Sequence, residues 1–186
     1  MDVKEKYKKE IKSLKDYLVL VTVDVDSYQK SNLEILHFLV NGQKIPGVYI
    51  TLNKPFDVMR RLLEDRGIDT RLVIFIDAIT KVDESEKREE GCLFIGSPEK
   101  LSDISLALDQ AVKALPTKDK FLFFDSINTL ELFNKPVTVA RFIYFLSGKI
   151  REWKIKGIII SIKKGTDEAL INEIVQFCDK RISIGR

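Results

Sequence analysis

Lys30-Ser31 is the pair in this chain whose residue types and position could do phosphate chemistry. It follows an apolar strand, Tyr17–Val23, and a polar turn, Asp24–Gln29, and it opens an apolar helix. Strand, turn, Lys-Ser and helix is the layout of a phosphate-binding loop, G-x-x-x-x-G-K-[ST]. In such a loop, glycines let backbone N–H groups close around phosphate oxygens, and the helix N-terminus adds partial positive charge. Set on that pattern, the chain reads Asp24-Val25-Asp26-Ser27-Tyr28-Gln29-Lys30-Ser31, so Asp24 and Gln29 stand where both glycines belong. Asp24 and Asp26 also place two negative charges where a triphosphate would lie. Repulsion between unit charges ~4 Å apart is roughly 1 kcal/mol in water and about 4 kcal/mol near a protein surface. These features argue against ordinary ATP binding and describe the remnant of a nucleotide site.

A lysine at position 30 without a phosphate still needs a counter-charge if it is buried. Asp26, within the loop, and Asp125, at the end of what should be the neighbouring strand, are the expected partners. His37 shares a narrow polar stripe with Glu34 and Asn41 on the otherwise apolar helix over 31–41. It reads either as a catalytic base or as a histidine satisfied beside Glu34. A helix apolar nearly all round should be buried.

The elements that position these residues follow in order. Val3, Tyr7, Ile11 and Leu14 share one face of an N-terminal helix within residues 1–16, with Lys4, Lys6, Lys8, Lys9, Lys12 and Lys15 elsewhere on it. Those lysines are a solvated face or a binding patch. Val48–Leu52, Arg71–Asp77, Cys92–Gly96, Phe121–Ser126, Gly157–Ile162 and Arg181–Ile184 read as strands, and the continuous apolar run Arg71–Asp77 suits a parallel sheet covered on both faces. Helical stripes lie between them, from Pro55 to Gly67, over Leu101–Leu115, over 137–153 and over Asp167–Cys178. Alternating strands and helices predict an α/β fold with a mostly parallel central sheet. Residues 80–91 hold the almost wholly charged run Lys81–Glu90, expected to be a mobile insertion, with a docking loop as the other reading. No repeat or linker divides residues 1–186, so one domain is expected.

Composition excludes several classes. The chain is 45% hydrophobic and 32% charged, and its 31 bases and 28 acids are well mixed, which does not point to nucleic acid. Cys92 and Cys178 lie far apart, and with a single histidine no Cys/His zinc set can be assembled. No apolar run approaches ~18 residues and the charged start is not a signal peptide, so a reduced, cytoplasmic setting without a membrane partner is expected.

The order of the Lys-Ser helix, NGQKIPGVYITL (Asn41–Leu52), SPEKLSDISLALDQAVKAL (Ser97–Leu115), FLFFDS (Phe121–Ser126) and GIIISIKKGTDEALINEIVQFCDKRISI resembles the RecA/KaiC-like ATPase domain, most of all divergent archaeal KaiC-like proteins. The resemblance covers nearly the whole chain from Tyr17 onward and implies a three-layer RecA-like domain of the P-loop NTPase type. It also implies that Lys30 matches the lysine that reaches the phosphates, Ser31 the hydroxyl on magnesium, and Asp125 the second metal-side carboxylate. Members of the family carry glutamates at the end of the strand before the second helix, one of which activates water. Here Asn53 and Lys54 stand there, and an amide cannot act as a general base. The connections around Asn134-Lys135-Pro136 and Lys163–Thr166 look too short for the mobile loops of DNA-strand-exchange members. Lys163-Lys164 is either an ordinary loop or a cationic element aimed at a neighbour's site.

The expectation is a catalytically inactive domain acting through a protein partner or self-association, with no cofactor and negligible ATP turnover. The alternative is a residual nucleotide binder or slow ATPase holding ATP and magnesium with Lys30, Ser31 and Asp125. A further alternative is a nucleic-acid-binding module using the lysine-rich N-terminal helix, which lacks interleaved stacking aromatics.

Overall fold

A computed structural model of the chain describes residues 2–81 and 89–185. Most of the charged run Lys81–Glu90 therefore lies outside the described residues. Seven strands, β1 (Tyr17–Val23), β2 (Gly47–Thr51), β3 (Val73–Asp77), β4 (Cys92–Phe94), β5 (Phe121–Asp125), β6 (Lys156–Ile162) and β7 (Lys180–Ile184), form one sheet. Their order is β4-β3-β2-β5-β6-β1-β7, and every pairing is parallel. The expected mostly parallel sheet is thus wholly parallel among the described residues.

The helices are α1 (Val3–Ile11), α2 (Tyr28–His37), α3 (Phe56–Glu64), α4 (Leu101–Ala114), α5 (Ile127–Phe133), α6 (Pro136–Trp153) and α7 (Glu168–Val175). Parallel strands joined by helical crossovers must be covered on both faces, and the two cores show how. Tyr17, Val19 and Val21 of β1, with Phe121 and Phe123 of β5, pack against α1, α2 and α3. Leu18 and Leu20, with Leu122 and Phe124, pack against α4 to α7. Successive strand residues point to opposite faces, so continuous apolar runs feed both layers at once. Close packing leaves no side-chain room at Gly47, where a β-carbon would come within 2.4 Å of the Phe121 ring.

Two elements depart from the sequence reading. α2 begins at Tyr28, three residues before Ser31, and a 3-10 turn over Val25–Ser27 fills most of the remaining loop. The expected six-residue polar turn is therefore largely helical. α5 carries no periodic run long enough to read, and is a seven-residue helix leading within two residues to α6. Among the described residues no helix is long and apolar enough to cross a membrane.

Candidate functional site

Asp125 ends β5 at the carboxyl edge of the sheet and is buried. The strand register pairs Thr51 with Asp125 and Tyr49 with Phe123. Tyr49 thus lies two residues back on the adjacent strand, on the same face as Asp125, with its ring stacked on Phe123 at 5.3 Å between centroids. From there its hydroxyl donates to Oδ2 of Asp125. The other carboxylate oxygen accepts from the hydroxyl of Tyr28, the first residue of α2. Asn32, one turn further along α2 and also buried, adds its amide to the cluster.

Burial pushes the Asp125 carboxyl above its ordinary range, opposed by the two tyrosine hydroxyls, by the Lys54 charge and by Asn32. The same burial, together with the neighbouring carboxylate, drives both phenols well above the usual tyrosine value. Both tyrosines therefore remain donors at any physiological pH.

The two positions where the family resemblance implies glutamates close over this cluster. Asn53 Nδ2 donates to the Tyr28 hydroxyl. The Lys54 ammonium lies 5.7 Å from the centroid of the Tyr28 ring, a cation–π contact. Tyr28 thus joins the altered loop, the altered strand end and the retained aspartate. In the sequence Tyr28 stands inside the loop with no motif to give it a role. The signal available was a bulky aromatic among residues that normally leave room for phosphate. Asn32 was likewise readable as a polar residue in an apolar helix.

The structure corrects the expected partner of Lys30. Its side chain is 70% exposed, and its ammonium lies 3.6 Å from Glu34 rather than beside Asp26 or Asp125. The early start of α2 is the cause: Tyr28, Ser31, Asn32 and Ile35 share the sheet-facing side, while Lys30 and Glu34 fall on the outer side. Asp125 is also two strands from β1, because β6 lies between β1 and β5. Ser31 is fully buried, and its hydroxyl has no hydrogen-bond partner among the described residues. His37 is exposed, away from the Asp125 cluster and not satisfied beside a buried Glu34. Glu34 instead accepts from the Lys4 backbone N–H at 3.4 Å.

The two carboxylates of the loop divide. Asp26 is exposed. Asp24, at the first glycine position of the loop, forms an ion pair with Lys163 at 3.2 Å. Lys163 is thus engaged within its own chain. Asp24 also presses on Gly185, where a β-carbon would meet its carboxylate at 1.8 Å and where φ is +96°. Asp77, the second buried carboxylate at this sheet edge, accepts from the backbone N–H groups of Phe56, Ile79 and Thr80 and from the Thr80 hydroxyl. Its role is to hold the start of α3 and the turn after β3.

These residues do not fit a magnesium-bound triphosphate in the family's manner. The lysine lies on the outer side of α2, the serine hydroxyl is buried on the inner side, and both oxygens of the aspartate are held by tyrosines.

Comparison with known proteins follows the fold. A KaiC-like protein, PH0186 from the hyperthermophilic archaeon Pyrococcus horikoshii OT3, superposes with a TM-score of 0.62 at 15% identity, over 86% of this chain and 68% of that one. The uncharacterised protein PH0321 from Pyrococcus horikoshii, crystallised in complex with an unknown peptide, superposes with a TM-score of 0.66 at 13% identity, over 96% of this chain and 82% of that one. At such identities the likeness is one of fold. No curated protein sequence matches the chain. The family model described as "ATPase: KaiC" matches residues 30–184, and the chain belongs to that KaiC family.

Proposed function

We propose that this KaiC-family domain binds no ATP or magnesium, hydrolyses no nucleotide, and acts in the cytoplasm through protein–protein contact. The observation that carries this reading is the Tyr28–Asp125–Tyr49 cluster, in which both oxygens of the inherited metal-side carboxylate accept from phenols. Asn53 and Lys54 close the cluster where a water-activating carboxylate would be needed. The degenerate phosphate loop and the lost glutamates are then one change, the conversion of a ligand site into packed structure.

A surface suited to protein contact supports the second half of the proposal. Leu132 is 82% exposed, and Phe133 on α5 and Val137, Tyr144 and Phe145 on α6 are exposed with it. On α6 the spacing 137, 144, 145 puts three of these residues along one face. Grouped exposed apolar residues mark interaction sites more often than scattered ones do. The bound peptide of the fold neighbour PH0321 is consistent with such use.

Three measurements test the proposal. ATP with magnesium should leave the melting temperature unchanged, whereas occupancy at 100-fold over Kd would add about 2.7 kcal/mol. Steady-state phosphate release should equal that of a Lys30→Ala control. A protein partner retained from native cells should be lost by a Leu132→Glu/Phe145→Glu variant that still melts cooperatively. Nucleotide-dependent stabilisation, or turnover above the control, would sink the first half. Retention unaffected by the surface substitutions would sink the assigned surface.

A further inference from the structure

At the end of the sheet opposite Asp125, three chain segments meet at the starts of β1, β5 and β6. They are Lys15-Asp16 before β1, Thr117–Lys120 before β5, and Trp153–Lys156 at the passage from α6 into β6. Together they line an open groove of about 540 Å³, within the roughly 300–1,000 Å³ of small-ligand sites. The lining holds five lysines and two aspartates, a net charge of +3. The whole 186-residue chain has a formal net charge of +3. The groove is therefore locally basic on a chain whose charges otherwise nearly cancel.

The five lysines fall into two groups. Lys156, with a side chain only 11% exposed, pairs with Asp119. Lys120 donates to the Val112 carbonyl at 2.6 Å. These two are fixed by the protein itself. Lys15, Lys118 and Lys154 are exposed, each from a different segment, and none of their ammonium groups has a hydrogen-bond or ion-pair partner among the described residues. Asp16 is the exposed counter-charge on the same lining.

Lys154 supplies an independent sign. It ends α6 in the left-handed conformation, φ 53° and ψ 51°, with its N–H on the carbonyls of Ile150 and Arg151. Glycine or asparagine normally takes that position, because a longer side chain is strained there. A lysine would complement the helix dipole from any residue of the last turn without that strain. Retained strain at one residue is a common mark of a functional position. Here it falls on one of the five lysines that line the groove.

We propose that this groove binds a compact oligophosphate anion, held by Lys15, Lys118 and Lys154 over the fixed Lys120 and Lys156. The site is separate from the tyrosine-capped Asp125 and from the apolar surface on α5 and α6, so the reading stands or falls independently of the proposed function. Oligophosphate chemistry can arrive as a free anion or as part of a nucleic-acid backbone. The groove's bounded volume and three converging segments favour the free anion.

The test is calorimetric titration of the full chain with tripolyphosphate at low and high salt, beside a short single-stranded oligonucleotide. Tripolyphosphate should bind at low salt and weaken as salt rises. Lys118→Ala and Lys154→Gly should each reduce its affinity about threefold to fivefold, the value of one partly exposed charge pair. Lys154→Gly should at the same time raise the melting temperature of the free protein, because it relieves the left-handed lysine. A raised melting temperature with unchanged tripolyphosphate affinity would reduce Lys154 to a structural residue and overturn the proposal. Loss of binding on Lys30→Ala instead would place the anion at α2 and overturn it as well. Substitution-sensitive binding of the oligonucleotide alone would assign the groove to a polymer backbone, also against the proposal.

Discussion

The hydroxyl of Tyr28, at the first residue of α2, donates to Oδ1 of Asp125, on a strand two places away from the one that α2 follows. The contact spans β6 and brings a loop residue onto the carboxylate that the family resemblance matches to a metal-side position. Tyr28→Phe removes this donor and also the acceptor used by Asn53. A buried charge-bearing acceptor left short of a donor costs about 1–3 kcal/mol. Urea denaturation of Tyr28→Phe should show a loss of that size, and Tyr49→Phe a similar one. A loss below the precision of the measurement in both would mean that the hydroxyls are incidental to Asp125.

A pH dependence follows from the same carboxylate. Burial raises the folded-state pKa of Asp125 above its ordinary value, and the hydroxyls offset that rise only in part. Between the unfolded and folded values the native state binds the extra proton, so this group's contribution to stability falls as pH rises through that window. Its full contribution is present below the unfolded value. Asp125→Asn removes the titration, so the wild type should gain on the variant as pH falls from neutral toward 4. Comparing the two chains cancels the other carboxylates. A stability difference that is flat with pH, or that moves in the variant's favour on acidification, contradicts the raised pKa.

The fold was legible because its central strands are buried on both faces. Runs such as Tyr17–Val23 and Phe121–Asp125 have no polar alternation to obscure them, whereas the edge strand β7 alternates buried isoleucines with exposed polar residues. The limits of the α2 site were not legible, for a physical reason. Whether Asp24 to Gln29 wraps as a loop or winds as a helix depends on what the first turn packs against. Tyr28 winds in because Asp125 offers an acceptor from a strand 97 residues later in sequence. Once that turn is helical, Lys30 faces outward, a consequence that local spacing could not supply. The missing glycines and the Asn53-Lys54 pair were each readable, but their meeting at Tyr28 was a tertiary fact.

The outward position of Lys30 has its own consequence. Its partner, Glu34, is one helical turn away, and the lysine is 70% exposed. An exposed pair at that spacing contributes about 0.3–0.5 kcal/mol and is screened by salt. Lys30→Ala should therefore change stability by no more than about 0.5 kcal/mol, and the effect should shrink in high salt. A loss of several kcal/mol would mean that the ammonium is buried against a carboxylate, as the sequence alone had suggested.

Restoring the loop glycines tests whether the site was lost only at the loop. Asp24→Gly removes the partner of Lys163, a partly exposed ion pair worth about 0–1 kcal/mol. Gln29→Gly, on the exposed side of α2, weakens the helix by about 1 kcal/mol relative to a good helix former. The doubly substituted chain should therefore fold, slightly less stable than the wild type. It should still release no phosphate from ATP above the wild-type background, because Tyr28 remains on Asp125 and Asn53 and Lys54 still stand at the water-activating positions. An amide and an ammonium have no proton-accepting carboxylate to offer an attacking water. Steady-state phosphate release rising clearly in Asp24→Gly/Gln29→Gly would show that the loop alone had silenced the site, and that the tyrosine-capped carboxylate opens whenever phosphate can be held.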